Sequence, residues 1–311
     1  MTSPPGPGSA HQGVVMAHKQ KGAHSPAKSP PRMSLQQPHK KGTRSMRKPV
    51  RRTPGWLPAA ATIGAIALLV VAFLGIRWAT TPPAPAPIDS THAAAVLSTI
   101  TSLPPSELEQ VGSGSAANRL KPVSGPALVG PGGKPLVFYF GAEYCPYCAA
   151  ERWPIIIALS RFGAFSGLKT TTSSSSDIYA NTPTFTFHRA TYSSQYIEFQ
   201  AVETTDRNQN SLDSPTQAQV ALVNRFDASG SIPFVDLGNR YAFSGATYAP
   251  DSLQGMSWQQ IADALQQADS VQAKAILGSA NLIAAAVCKL TSDQPAEVCS
   301  GAAIQSIEAK L

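Results

Sequence analysis

The feature that most constrains this chain is a run of 24 residues without a charged side chain, residues 53–76. Its central part, residues 66–74, is wholly apolar. At about 1.5 Å per residue, roughly 20 helical residues cross the ~30 Å hydrocarbon layer of a bilayer. Trp56 and Trp78 bracket the run, as aromatic residues do at membrane interfaces. The pattern predicts one transmembrane helix over residues 55–79.

Two other interpretations of this run are a buried core helix and a cleaved signal peptide. The length of the run and its lack of a polar face argue against a core helix. A signal peptide has a short basic segment and an apolar stretch of about 7–15 residues, whereas the run here is longer and begins only at residue 53. Residues 84–86 resemble a small-x-small cleavage site, but Pro87 follows them.

The charged residues are divided unevenly along the chain. Residues 1–52 contain 11 Lys or Arg and no Asp or Glu, whereas the part after Arg77 has 13 basic and 18 acidic residues. The formal net charge of +7 therefore belongs to the N-terminal part, and no basic domain that would bind nucleic acid is indicated. The cations before the apolar run predict a cytoplasmic N-terminus, with residue 80 onward on the outer side of the cell membrane.

The segments that flank the apolar run have the composition of linkers. Residues 1–54 are rich in Pro, Gly, Ser, His and Lys, which predicts a disordered basic cytoplasmic tail. A second interpretation places residues 44–52 against anionic lipid. Residues 80–92 are rich in Pro and Ala and predict a semi-rigid linker.

Residues 93–270 carry the pattern of a mixed α/β domain. Apolar runs and period-two alternation predict strands, whereas capping signals predict helices. The predicted strands are 136–140, 184–187, 196–199, 234–237 and 241–243, with the second paired to the third. The predicted helices cover 91–102 and 146–161 and begin again at Ser214 and Ser257, with a polar loop at 170–176. Residues 271–311 are predicted to form a C-terminal helical hairpin, broken around residues 292–295.

The motif that indicates chemistry is Cys145-Pro146-Tyr147-Cys148, between a buried strand and a helix. A helix N-terminus offers unpaired N–H groups and a partial positive charge, and both favour a thiolate. The motif therefore predicts Cys145 as a nucleophile of lowered pKa, with Cys148 one turn further on to resolve a mixed disulfide. Pro146 suits the first helical turn.

Three other interpretations of this cysteine pair stay open at the level of sequence. The pair could form a structural disulfide. A zinc site would need a second close pair, and ten residues separate Cys288 from Cys299. A copper carrier would need histidine support, and His188 is the one histidine in the predicted globular core. The prediction for this chain is accordingly no metal and no organic cofactor.

The order of these features resembles the thioredoxin fold: a strand, then residues 141–148 with the cysteine pair, then a helix, then a distant Ile232-Pro233 before another strand. Residues 139–153 in particular resemble a membrane-anchored family, number 929 of the domain-of-unknown-function series, and residues 182–187 and 232–236 also fit it. The thioredoxin resemblance implies a thioredoxin-like mixed sheet with an inserted strand and helix region.

The same resemblance implies roles for individual residues. Cys145 is the attacking thiol, Cys148 the resolving thiol and Pro233 a cis-proline that faces the pair. The backbone of Ile232, exposed by a cis turn, pairs with an extended substrate strand, and Tyr147 is expected to contact substrate.

The chain departs from thioredoxins at two positions near the motif. Tyr139 stands six residues before the first cysteine, where thioredoxins have a buried acid, and the helix proline falls one position later, at Pro154. The first departure leaves the proton acceptor for Cys148 unassigned. Glu143 and Glu151 are close in sequence, but both are expected to be solvated surface charges.

The other two cysteines, Cys288 and Cys299, flank a predicted helix–turn–helix. All four cysteines lie on the predicted outer side, where disulfides persist. We expect Cys288 and Cys299 to form a structural disulfide, worth about 3 kcal/mol in the chain-entropy model. A second redox relay is the other interpretation.

These features together predict a single-pass membrane protein whose external domain exchanges thiols and disulfides with exported proteins. Its partners would be exported protein thiols or disulfides, a membrane redox protein and the lipid bilayer. The alternative is a non-catalytic binding or assembly module on the same scaffold, in which the Cys145–Cys148 disulfide is structural. Whether the chain oxidises, reduces or isomerises its substrates does not follow from a motif.

Overall fold

The computed structural model of this chain describes residues 57–80, Pro85 and residues 88–311. The predicted tail at residues 1–54 lies outside the described residues, as do Trp56 and part of the predicted linker at residues 80–92. The described residues are a mixture of helices and strands, so the predicted mixed α/β class is confirmed.

The described part of the chain contains nine α-helices, nine β-strands and one 3-10 turn at Pro250–Leu253. The helices are α1 (Leu57–Thr80), α2 (Ser90–Thr101), α3 (Pro105–Val111), α4 (Pro146–Ser160), α5 (Gln217–Phe226), α6 (Trp258–Leu265), α7 (Val271–Leu290), α8 (Ala296–Cys299) and α9 (Ala302–Glu308). The strands are β1 (Lys121–Pro122), β2 (Leu136–Gly141), β3 (Gly163–Ser166), β4 (Lys169–Thr172), β5 (Pro183–Thr186), β6 (Thr191–Ser194), β7 (Glu198–Glu203), β8 (Phe234–Leu237) and β9 (Tyr241–Ser244).

The main sheet has five strands in the order β1-β9-β8-β2-β7. β2 pairs in parallel with β7 and antiparallel with β8, and β8 and β9 form an antiparallel hairpin. β2 is therefore flanked on both sides, which explains why its sequence is an unbroken apolar run rather than an alternating one. Two small antiparallel pairs, β3 with β6 and β4 with β5, lie in the segment between α4 and β7.

Two of the predictions about strands are wrong. Residues 170–172, predicted as part of a polar loop, belong to β4, where β-branched threonines pair with β5. The two strands predicted to pair with each other do not, because β5 pairs with β4 and β7 with the distant β2.

The start of α5 also differs from the prediction. Ser214 is the expected cap of this helix, but Thr216 is the N-cap, and its hydroxyl accepts the N–H of Gln219. The Gln219 side chain bonds back to the Thr216 backbone, which completes a capping box two residues later than predicted. The capping box predicted at Ser257 is present and opens α6.

The two faces of the main sheet are covered to different depths. Side chains of β2 alternate, so Val137 and Tyr139 join the larger cluster with α4, α6 and α7. Phe138 joins a smaller cluster, against which Phe140 packs and which α5 covers through Val223. The cysteine motif begins α4, on the more deeply buried side.

Helix α4 contains a proline in its interior, Pro154, which has no N–H to donate to the Ala150 carbonyl. The hydroxyl of Tyr248 donates to that carbonyl instead, at 2.7 Å. The neighbouring Ala149 carbonyl accepts the Thr184 hydroxyl, also at 2.7 Å. Side chains from distant segments therefore complete the hydrogen bonding around the proline.

The C-terminal segment has three helices rather than the predicted two-helix hairpin. After α7 the chain breaks at Ser292 and Asp293, both with positive φ, and it breaks again between α8 and α9 at Gly301. A Cβ at Gly301 would lie 2.2 Å from a Glu109 carboxylate oxygen, so the second break is a site of close packing. Cys288 and Cys299 form a disulfide that joins α7 to α8.

Two apolar helices have opposite surroundings. α7 is long and apolar enough to cross a membrane by length and composition, but 83 % of its apolar window is buried. Residues 62–76 of α1 form a shorter apolar stretch whose large side chains are exposed, for example Leu68 at 72 % and Phe73 at 66 %. α7 is therefore a core helix, whereas the described side chains of α1 are exposed.

Candidate active site

The candidate site is built around Cys145, which is the N-cap of α4. Its backbone is extended, and its sulfur accepts the N–H of Cys148 at 3.3 Å. Only 6 % of the residue is exposed. A hydrogen bond from the Cys148 side chain, together with the Cys148 N–H and the positive charge of Arg152, lowers the pKa of the Cys145 thiol, although burial opposes this. The sulfur of Cys145 is thus the member of the pair that ionises first.

Cys148 lies fully buried behind Cys145. Burial raises the pKa of its thiol well above the usual value, and a hydrogen bond to the Cys145 sulfur and the charge of that sulfur raise it further. Both cysteines are free thiols in the structure. The two sulfurs therefore differ in accessibility and in acidity, which is the asymmetry that an attacking and a resolving thiol require.

The loop before β8 faces the first sulfur. The Ile232–Pro233 peptide bond is cis, and the Cys145 thiol lies 3.8 Å from the Ile232 carbonyl oxygen. Pro233 is buried, and its carbonyl accepts the N–H of Gly245 at 2.8 Å. The structure thus brings together two segments that are 87 residues apart in sequence.

Tyr147, the exposed residue of the motif, lies at the rim of the site with 40 % of its surface accessible. Its ring contacts Tyr179 edge to face, with centroids 5.9 Å apart. Tyr179 and its exposed neighbour Ile178 belong to the loop between β4 and β5, and this loop is attached to the motif because Ser174 donates its N–H to the Tyr144 carbonyl at 2.8 Å. Aromatic side chains from the first turn of α4 and from this loop therefore lie against each other at the rim of the site.

Beneath the cysteines lies Tyr139, a fully buried residue six positions before Cys145. A Cβ built on Gly141 would lie 2.3 Å from the Tyr139 hydroxyl oxygen and 3.0 Å from the Cys148 sulfur, so both atoms converge there and only glycine fits. Burial raises the pKa of the Tyr139 hydroxyl well above its usual value. The hydroxyl is therefore a neutral neighbour of Cys148 rather than a proton acceptor.

The expectation that Glu143 and Glu151 are solvated is wrong, because both are buried. A Glu143 oxygen accepts the Thr171 hydroxyl at 3.1 Å. One oxygen of Glu151 accepts the backbone N–H and the hydroxyl of Thr247, at 2.7 and 2.8 Å. Burial outweighs these bonds and raises the pKa of Glu151 to about 8. Neither burial can be read from sequence, since both depend on contacts with distant loops.

An ion pair that the sequence did not lead us to expect lies under the motif. The Arg152 guanidinium binds both carboxylate oxygens of Glu203, at 2.7 Å each, and both side chains are fully buried. A signal for Arg152 does exist in the sequence: residues 145, 148 and 152 fall on one face of a helix. Nothing local indicates Glu203, which lies 51 residues further along the chain.

The residues considered for a metal site are not assembled into one. Within the described ranges, no group of three or more His, Cys, Asp or Glu side chains is placed to hold a metal ion. His188 instead contacts Asp213, with 2.7 Å between its Nδ1 and a carboxylate oxygen.

Comparison with known protein families gives a match that covers the candidate site. A sequence profile of the family described as Domain of unknown function (DUF929) matches residues 125–224 and 215–289. The two segments together span more than half of the 311 residues and include both free cysteines, the Arg152–Glu203 pair and the Ile232–Pro233 bond. No curated protein and no solved structure matches the chain.

Proposed function

This chain belongs to the DUF929 family, and since that description names no activity, we propose from the site itself that the chain is a thiol–disulfide oxidoreductase. The observation that carries the proposal is that the two thiols differ in acidity and in their position at the start of α4. Cys145 caps a helix and has a lowered pKa, whereas Cys148 is fully buried behind it and has a raised one.

The proposed reaction uses the two sulfurs in sequence. The Cys145 thiolate attacks a substrate disulfide, so a bond forms between Cys145 and one substrate sulfur while the other leaves as a thiolate and takes a proton. Cys148 then loses its proton and attacks the Cys145 sulfur, which closes the Cys145–Cys148 disulfide and releases the second substrate thiol. The substrate gains two electrons that the chain loses, and the reverse sequence oxidises a substrate dithiol.

We further infer that the domain is thioredoxin-like. The strand order β9-β8-β2-β7 supports this, with β2 and β7 parallel and the β8–β9 hairpin antiparallel beside β2. A thioredoxin core has this order, with the cysteine motif after the strand that corresponds to β2 and the cis-proline before the strand that corresponds to β8. Residues 145–148 and Pro233 stand at those two points.

We also propose that α1 anchors the domain in the cell membrane, with residues before it cytoplasmic and the cysteines outside. The exposed apolar side chains of residues 62–76 and the 11 cations before them support this. The substrates would then be exported proteins, and a membrane redox protein would supply or accept the two electrons.

In cells, a reporter that fluoresces only in the cytoplasm is expected to stay dark when fused after Leu311 and to fluoresce when fused before residue 53. Bright cells from the fusion after Leu311 would contradict the topology.

The reduction potential of the Cys145–Cys148 pair tests the proposed activity. We expect the full-length chain in detergent, equilibrated with glutathione buffers, to give a potential between about −120 and −270 mV, the range of catalytic pairs. A potential below about −300 mV is typical of a structural disulfide and would instead support the binding or assembly module. Cys288 and Cys299 are expected to stay oxidised throughout and thus serve as an internal control.

A further inference from the structure

Arg152 lies on the face of α4 that carries the two cysteines, seven residues after Cys145 and four after Cys148. Its side chain is fully buried. Among charged residues, arginine is rarely buried completely unless it is paired. A fully buried cation next to the two thiols therefore needs a physical explanation.

The guanidinium is held from three sides. Glu203 on β7 accepts from Nε and Nη2, at 2.7 Å each. Nη2 also donates to the Ala142 carbonyl at 2.8 Å, in the turn that leads to Cys145. The Tyr139 ring lies below, with its centroid 5.8 Å from the guanidinium carbon. Glu203 is itself fixed, since one of its oxygens accepts the Phe187 N–H at 3.3 Å.

Stability alone does not account for this arrangement. A buried ion pair is often no more stable than well-packed apolar residues of the same volume, because both charges must leave water. The third nitrogen of Arg152, Nη1, is also buried and makes no hydrogen bond in the described part of the chain. An unpaired buried donor costs about 1–3 kcal/mol. A residue that served only the fold would not need to keep a charge with an unsatisfied donor.

We propose that Arg152 is a positioning residue of the thiol pair: its guanidinium, clamped by Glu203, keeps a fixed positive charge beneath Cys145 and Cys148 that stabilises whichever sulfur is a thiolate. This inference rests on the proposed exchange activity and assigns it an electrostatic source. The charge of Arg152 lowers the pKa of both thiols. It is the one cation near the sulfurs in the described structure that no solvent screens.

Other titratable groups also face the thiols, and the test must separate them from Arg152. Each thiol faces the other, and both lie near Tyr139 on β2, Tyr144 just before the motif and Tyr147 within it. Asp177 acts on Tyr144 and Tyr147 from the loop between β4 and β5, and Glu203 on β7 acts on Arg152 and Tyr139. Of these groups, only Glu203 forms hydrogen bonds with Arg152 among the described residues. Two variants of the ion pair therefore distinguish a charge effect from a structural one.

The experiment compares Arg152→Gln with Glu203→Gln in the full-length chain that also carries Cys148→Ser. Cys145 is then the only thiol that titrates, because Cys288 and Cys299 are joined. The rate of alkylation by iodoacetamide is measured against pH. Both variants break the same ion pair, but the first removes the positive charge and the second the negative one. We expect Arg152→Gln to shift the midpoint to higher pH, so that alkylation below the midpoint slows about tenfold, the effect of a one-unit shift. Glu203→Gln is expected to leave the midpoint in place or to lower it.

Equal shifts in the two folded variants, or no shift in Arg152→Gln, would refute the proposal. Should Arg152→Gln fail to fold, the double variant Arg152→Gln/Glu203→Gln takes its place, since it buries no lone charge. Its midpoint must then lie above that of Glu203→Gln. Alkylation requires no exchange of disulfides, so an inactive wild-type chain would contradict the proposed function while this result still stood.

Discussion

Replacement of Cys145 by serine is expected to reduce disulfide exchange in an insulin-reduction assay to the uncatalysed background. A hydroxyl at the N-cap of α4 can accept the Cys148 N–H as the sulfur does now at 3.3 Å, so the helix should keep its cap. It is not ionised near neutral pH and cannot form the mixed disulfide, so the first step of the reaction is lost. Full exchange activity in this variant would show that Cys145 is not the nucleophile.

Cys148→Ser is the matched control for this prediction. Attack by Cys145 still occurs in this variant, but no second thiol is present to resolve the product. We expect mixed disulfides with substrate proteins to accumulate and to appear as reductant-sensitive bands on a non-reducing gel. A clean loss of activity in both variants without such bands would argue that the two cysteines act together in a structural role.

Glu151→Gln is expected to remove a large pH dependence of stability. The pKa of Glu151 rises from the usual 4.5 to about 8 in the folded chain because the carboxyl is fully buried. Between those two values the folded chain holds a proton that the unfolded chain releases. The free energy of unfolding of the wild-type chain therefore falls as pH rises through this window, by up to about 1.4 kcal/mol per pH unit. A glutamine at this position has no proton to release.

The measurement is urea unfolding of both chains at pH 5, 6.5 and 8. A glutamine oxygen can still accept the two hydrogen bonds from Thr247, so we expect similar stabilities at pH 5. The variant should then become progressively more stable than the wild type, by several kcal/mol at pH 8. Parallel curves for the two chains would show that Glu151 stays ionised in the folded state.

Local sequence patterns predict two kinds of element well. One is a helix with a recognisable start, and the other is a buried strand whose residues are all apolar. β2 is an uninterrupted apolar run, and the start of α4 is marked by Pro146 at its first position. The sequence does not predict β4, because a run of threonine and serine has the composition of a loop and the strand forms by pairing with β5. The partner of β7 is likewise hidden from local patterns, because β7 pairs with β2, which lies more than 50 residues earlier in the chain.

The candidate site also has features that local sequence patterns predict and features that they do not. The motif, its position at a helix start and the Ile232–Pro233 dipeptide are visible in the sequence. The environment that separates the two thiols is not, because it consists of contacts between segments that are far apart. Glu203 reaches Arg152 from β7, and Thr247 reaches Glu151 from the segment after β9. Both acidic side chains would be placed on the surface by composition alone.

The replacement of the backbone bond at Pro154 has a consequence for any attempt to use this motif elsewhere. The carbonyl that the proline leaves free is bonded to Tyr248, and the adjacent Glu151 to Thr247, nearly a hundred residues downstream. A fragment that ends before residue 247 thus contains the whole motif but not the partners that complete its helix. Residues 145–148 transferred alone to another protein would therefore lack the hydrogen-bond partners that α4 has here. A fragment that is to keep these hydrogen bonds must therefore include Thr247 and Tyr248.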